Sequence, residues 1–141
     1  MWPFDYRSFA LQILARLEGQ AKMNLCIQYI RDAGDQAKER LVLKVNSKTD
    51  IGDFAIFRAK SDKDGEVYAS ITDAFWFPDF QAMVGDRVIL YTKAGKQSKK
   101  DNEDGSTSHF LYWGKTVLWD DTNFAPVLVE IATWEAFIRP E

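Results

Sequence analysis

A 141-residue chain with one cysteine, a net charge of −3 and no apolar run near the roughly 20 residues of a membrane helix excludes three classes at once. It is not an intrachain disulfide scaffold, it has no membrane-spanning helix, and its overall charge gives no general attraction to nucleic acid. An apolar fraction of 46% is enough for one core, and 14% aromatics favour strands, because rings suit a pleated, half-buried surface.

Residues 1–22 read as one amphipathic helix. Asp5 is placed to cap its N-terminus and Gly19 to end it. Tyr6, Phe9, Ala10, Ile13, Leu14 and Leu17 recur at steps of three and four and share a stripe. The expected destination of that stripe is the chain's own sheet. Docking on a partner through Tyr6, Phe9, Ile13 and Leu17 stays open, as does a membrane surface, although the polar face is poor in lysine and arginine. The chain carries no basic segment followed by an apolar block at its start, so the reading is a cytoplasmic protein without a secretory signal. Met23 offers a second possible start.

From residue 23 the period changes to two. Strands are expected in "NLCIQYIRD" (24–32), "ERLVLKV" (39–45), "DFAIFRA" (53–59), "EVYASITDAFWF" (66–77), "DRVILYTK" (86–93), "HFLYWG" (109–114), "TVLW" (116–119) and "VLVEIATW" (127–134). Turn residues separate them at Ala33-Gly34-Asp35, Asn46 to Gly52, Asp64-Gly65, Pro78-Asp79 and Gly114. Short strands without alternating helices predict a mainly β, antiparallel sandwich or barrel over 23–141, preceded by the 1–22 helix. Residues 93–108, "KAGKQSKKDNEDGSTS", hold no large apolar side chain and read as a long solvated loop. Lys93, Lys96, Lys99 and Lys100 lie in its first half. They are either part of a charged hairpin tip or a clamp for phosphates.

In "HFLYWGKTVLW" (109–119) strand geometry puts Phe110, Tyr112 and Gly114 on one face and His109, Leu111 and Trp113 on the other. Both faces are apolar, which suits an inner strand; Trp113 and Trp119 are expected in the core.

The second half of the chain resembles the lamin tail domain family. The residues that carry the likeness are "FWFPDFQAMVGDRVILYTKAG" and "HFLYWGKTVLWDDTN", with "ERLVLKVNSKTDIGDFAIF" similar to the family's earlier strand pair, in which a Glu opens a strand and an Asn begins the turn. The match spans about residues 23–134 and is most specific at Tyr91-Thr92 and Leu111 to Gly114. It departs from the family at "DDTNFAP", where a polar turn usually leads into the closing strands. The resemblance implies an immunoglobulin-like β-sandwich used as an interaction module, for proteins and DNA in nuclear lamins, with no catalytic residues and no cofactor to carry over.

The residues themselves point to little catalysis. His109 is the single histidine, and no Gly-x-Ser-x-Gly elbow accompanies it. Cys26 and His109 cannot complete a zinc site. "KSDKDGEV" imitates a calcium loop but has Lys60 in the first ligand position and Ile71 in the last, so Asp64-Gly65 is read as a hairpin turn. Asp120 and Asp121 are the carboxylates of a hydrolase alternative, and a solvated turn is their simpler role. The expected function is therefore a non-catalytic module that binds another protein, or a second copy of itself, through the N-terminal helix or a sandwich edge. Nucleic-acid binding through Lys93, Lys96, Lys99 and Lys100 is the alternative.

Overall fold

The structure, a computed structural model, describes residues 23–141. The expected helix and its contact residues Tyr6, Phe9, Ile13 and Leu17 lie outside the described residues. The remainder is mainly β. Its strands are β1 (Leu25–Arg31), β2 (Arg40–Val45), β3 (Thr49–Asp50), β4 (Phe54–Ser61), β5 (Val67–Trp76), β6 (Gln81–Ala82), β7 (Arg87–Tyr91), β8 (Ser98–Asp101), β9 (Thr107–Tyr112) and β10 (Phe124–Glu130), with one 3-10 turn at Ile51–Asp53. Among the described residues no helix is long and apolar enough to cross a membrane.

Three sheets form. The largest runs β1-β2-β7-β9-β8, a second runs β10-β4-β5, and β3 pairs with β6. Alternation along each strand sends Leu41, Leu43, Val88, Leu90 and Leu111 of the five-stranded sheet, and Phe54 and Ile56 of the three-stranded sheet, into one buried cluster. Phe75 and Leu128, which flank Ile56 across the three-stranded sheet, pack against the same cluster. Trp119 is buried in it and Trp113 lies half-buried beside it, its ring 6.1 Å from that of Trp119. His109 and Leu111 face inward while Phe110 and Tyr112 face outward, as the alternation of the segment requires.

Three expectations change. The larger sheet is not wholly antiparallel, because β7 and β9 pair in parallel, with β9 lying between β7 and β8. A parallel neighbour needs a crossover, and the connection over residues 92–106 supplies it: 92–97 pass across β9, and β8 leads back through the hairpin. Gly95 makes it possible: a Cβ there would stand 2.4 Å from the Tyr112 ring, which the loop crosses. Second, the stretch 93–108 is not one loop. Ser98–Asp101 pairs with Thr107–Phe110 as a hairpin whose turn is Asn102 to Ser106. Backbone pairing at an edge needs no apolar side chain, so polarity concealed it. Third, "TVLW" is no strand.

The reason lies in Glu39, which is fully buried. Its carboxylate accepts the backbone N–H groups of Gly34 (2.9 Å), Leu118 (2.9 Å) and Trp119 (3.1 Å) and the Thr92 hydroxyl. The N–H groups of residues 118 and 119 are thus held by a side chain, so the segment has no need of a ladder. The Glu39 carbonyl also accepts from the Thr92 N–H at 3.1 Å. An ionised carboxylate offers acceptors only, which matches four converging donors.

Glu39→Gln turns one acceptor into a donor that faces backbone N–H groups. It is expected to cost about 2–4 kcal/mol, since each orphaned buried polar group costs about 1–3 kcal/mol. Urea unfolding followed by tryptophan fluorescence measures this, and Thr92→Val, which removes a single donor, should cost less.

Candidate functional site

The most chemically dense point near the surface is where β7, β9 and the Met83–Asp86 turn meet. Asp86 is 5% exposed. Its carboxylate accepts the Met83 N–H (3.0 Å) and the Thr107 N–H (2.9 Å), and its Oδ2 lies 3.1 Å from Nε2 of His109. Burial pushes the Asp86 carboxyl up. The two backbone N–H groups and the imidazole outweigh that and hold it below the ordinary carboxylate range. The His109 ring lies against Phe80, centroids 4.8 Å apart, at an open groove of about 390 Å³ also lined by Gln97, Ser98 and Lys99. Ser108, next along β9, points to the opposite face and its hydroxyl accepts from Asn102 at 3.0 Å. The pair therefore has no serine beside it on the strand and clamps the β9 hairpin to the turn before β7.

Asp62 and Asp121 are absorbed by turns. Asp62 accepts from the N–H groups of Asp64 (2.9 Å) and Glu66 (3.0 Å) and from the Tyr68 hydroxyl (2.8 Å), with Gly65 at φ +83° completing the hairpin. Asp121 accepts the Asn123 N–H at 2.9 Å, and Asp120 is exposed in the same loop. Cys26 is half-buried beside Asn46, with its sulfur 3.8 Å from Oδ1. Among the described residues, no group of three or more His, Cys, Asp or Glu is placed to hold a metal ion.

The four lysines of 93–100 do not form one track. The Lys93 ammonium sits over the Tyr91 ring at 5.1 Å, and Lys96 is exposed in the crossover. Lys99 and Lys100 are neighbours on β8, so they project to opposite faces. Lys100 instead joins cations from other strands on the outer face of the five-stranded sheet. Cross-strand register gives one row of Lys44, Arg87, Ser108 and Lys100, and another of Arg31, Arg40, Tyr91 and Tyr112. Between them runs an apolar row of Tyr29, Val42, Ile89 and Phe110. The Tyr91 and Tyr112 rings stack at 5.3 Å, and Arg40 pairs with Asp32 at 3.0 Å.

The outer face of the three-stranded sheet differs sharply. Its cross-strand rows are Val129–Ala55–Trp76, Val127–Phe57–Ala74 and Ala125–Ala59–Ile71. All nine residues are apolar. None belongs to the central cluster, which the alternate residues of the same strands fill. Ala55 and Ala59 are buried at its floor, whereas Trp76 and Ile71 are 49% and 48% exposed. The Trp76 indole N–H donates to the Gly52 carbonyl at 2.8 Å, and the Trp134 ring meets it edge-on at 5.1 Å. Sequence reading treated β4, β5 and β10 as ordinary alternating strands and missed this face. The available signal was that "DFAIFRA" and "VLVE" are apolar at successive positions, as strands covered on both sides are.

Asp86 makes stability depend on acid. A carboxyl whose folded value is depressed stabilises fully above its unfolded value, and that contribution is lost as pH falls through the lower folded value. Wild-type melting temperature is therefore expected to exceed that of Asp86→Asn at pH 7. The difference should narrow as pH drops below the usual carboxylate range, in melts recorded from pH 7 to pH 2. A constant gap across that range would contradict this account.

No protein-family model matches the chain, and no curated protein matches it.

Proposed function

We propose that this chain is a non-catalytic interaction module, an immunoglobulin-like β-sandwich of the lamin-tail type that binds protein through the outer face of its three-stranded sheet. The observation that carries the reading is the nine-residue apolar face with Trp76 and Ile71 about half exposed. Contiguous apolar surface of this kind marks interaction sites. The sheet edges offer less. Edge strand β10 contains Pro126, which lacks a donor, and β5 carries two register shifts against β4. Edge strand β8 presents Lys99 and Lys100, and β1 is bulged between Ile27 and Tyr29. These devices blunt strand addition, so docking falls to a face.

A photo-reactive benzoylphenylalanine at position 71 tests this reading in an extract of the cells that make the protein. Ile71→benzoylphenylalanine is expected to form protein adducts on irradiation, and the same group at exposed Lys63 in the β4–β5 hairpin is not. Equal yields from the two positions, or none from position 71, reject the face as a docking surface.

A second reading, polyanion binding, rests on one observation. On the outer face of the five-stranded sheet Arg31 stands directly opposite Arg40, and Lys44 directly opposite Arg87. Like charges in register cost stability in a sheet; Arg40 is already paired with Asp32, so Lys44 and Arg87 are the pair that a chain of phosphates would relieve. Lys44→Glu with Arg87→Glu is then expected to weaken binding of a fluorescent single-stranded oligonucleotide at least tenfold and to flatten its salt dependence. Absence of any anisotropy change at about 50 mM salt ends this reading.

A further inference from the structure

We infer that the occupant of the apolar face is a second copy of this chain, in a two-fold dimer that buries both three-stranded sheets together with the C-terminal segments. The inference rests on the docking reading above and names its partner.

Three observations carry it. The first is shape. Along β4, Phe57 stands between Ala55 and Ala59, and across the sheet small Ala55 lies between Val129 and Trp76. Large and small side chains therefore alternate along β4 (Ala55, Phe57, Ala59) and, out of phase with it, along β5 (Trp76, Ala74, Ile71). Such a checkerboard complements itself when turned over and shifted by one step, which is what a two-fold interface demands of a single patch. The second is charge. The chain carries a net charge of −3, so two copies repel in general, yet the nine-residue face holds no charge. A strongly charged partner would find nothing to pair with there, while an identical neutral face would meet no repulsion at the contact.

The third is area. Three strands about 4.8 Å apart and five residues long at about 3.3 Å each present a footprint of about 240 Å². A stable interface needs about 800 Å² from each partner. The remainder is at hand in the C-terminal segment. Trp134 already leans on Trp76 at the rim of the face, and beyond it Phe137 and Ile138 are 86% and 82% exposed. Aromatic side chains bury about 150–250 Å² each, so this segment packed along the rim of the face against the neighbouring copy brings the total into the required range. The same geometry explains why three large apolar side chains stand in water near the end of the described chain: in the dimer they are covered.

Analytical ultracentrifugation of the full chain over 1 to 100 µM, with Val127→Glu and Ile71→Lys, decides the matter. The expected result is a concentration-dependent species of twice the 16.2 kDa chain mass. Either substitution should weaken it at least tenfold, with the far-ultraviolet circular dichroism unchanged. Should Val127→Glu fail to fold, Ile71→Lys decides alone, because that side chain is half exposed. A wild-type chain that stays monomeric at 100 µM overturns the dimer, as does a dimer indifferent to both substitutions. The docking reading is judged separately by the adducts formed at position 71. Adducts with a different protein keep that reading and discard the second copy, and failure to form any adduct discards both.

Discussion

Four hydrogen-bond donors from three separated parts of the chain converge on the Glu39 carboxylate. Gly34 comes from the connection before β2, Thr92 from the end of β7, and Leu118 and Trp119 from the connection between β9 and β10. The Thr92, Leu118 and Trp119 donors would otherwise be buried polar groups seeking a partner, and an acceptor-only group at the meeting point satisfies them together with the Gly34 N–H. The consequence reaches the core. With their backbone groups held there, Leu118 and Trp119 enter the apolar cluster from an irregular segment, and Arg58 donates to the Leu118 carbonyl at 2.8 Å from the other sheet. The five-stranded and three-stranded sheets are thereby joined by polar contacts around the edge of their shared apolar interior.

The same division of labour appears at the opposite end of β7. Asp86 holds the Met83 turn, the start of β9 and His109 together, so the one histidine of the chain serves as a strut. With Glu39 at one end and Asp86 at the other, the parallel β7–β9 pair at the centre of the larger sheet is fastened at both. That fastening leaves the two outer faces free to differ. One carries basic rows around an apolar stripe, and the other carries nine neutral apolar residues.

Much of the fold was legible in the residues, and some of the site was not. Alternation located the strands at Leu25, Arg40, Phe54, Val67, Arg87 and His109 to within a few residues, and it separated the two faces of β9 without saying which of them enters the core. The strand over Ser98–Asp101 escaped because its side chains are polar, and periodicity records burial, not pairing. The segment "TVLW" misled for the converse reason: it has a strand's composition, yet a buried side chain takes up its N–H groups. The lysines of 93–100 were visible as a cluster in sequence, but β8 splits Lys99 from Lys100 by pointing them to opposite faces.

Composition and a period of two were enough, by themselves, to determine that residues 23–141 make short strands around one core, because burial of every second side chain is a local property of each strand. The tertiary structure alone decided which strands are neighbours. From that followed the parallel β7–β9 pair, the convergence of donors on Glu39, the partnership of Asp86 with His109, and the assembly of an apolar face from β10, β4 and β5. All of these depend on residues far apart in the chain arriving in register. A strand's hydrophobic pattern and its turns fix its register once it has a neighbour, but which distant strand becomes that neighbour is not written in any one segment.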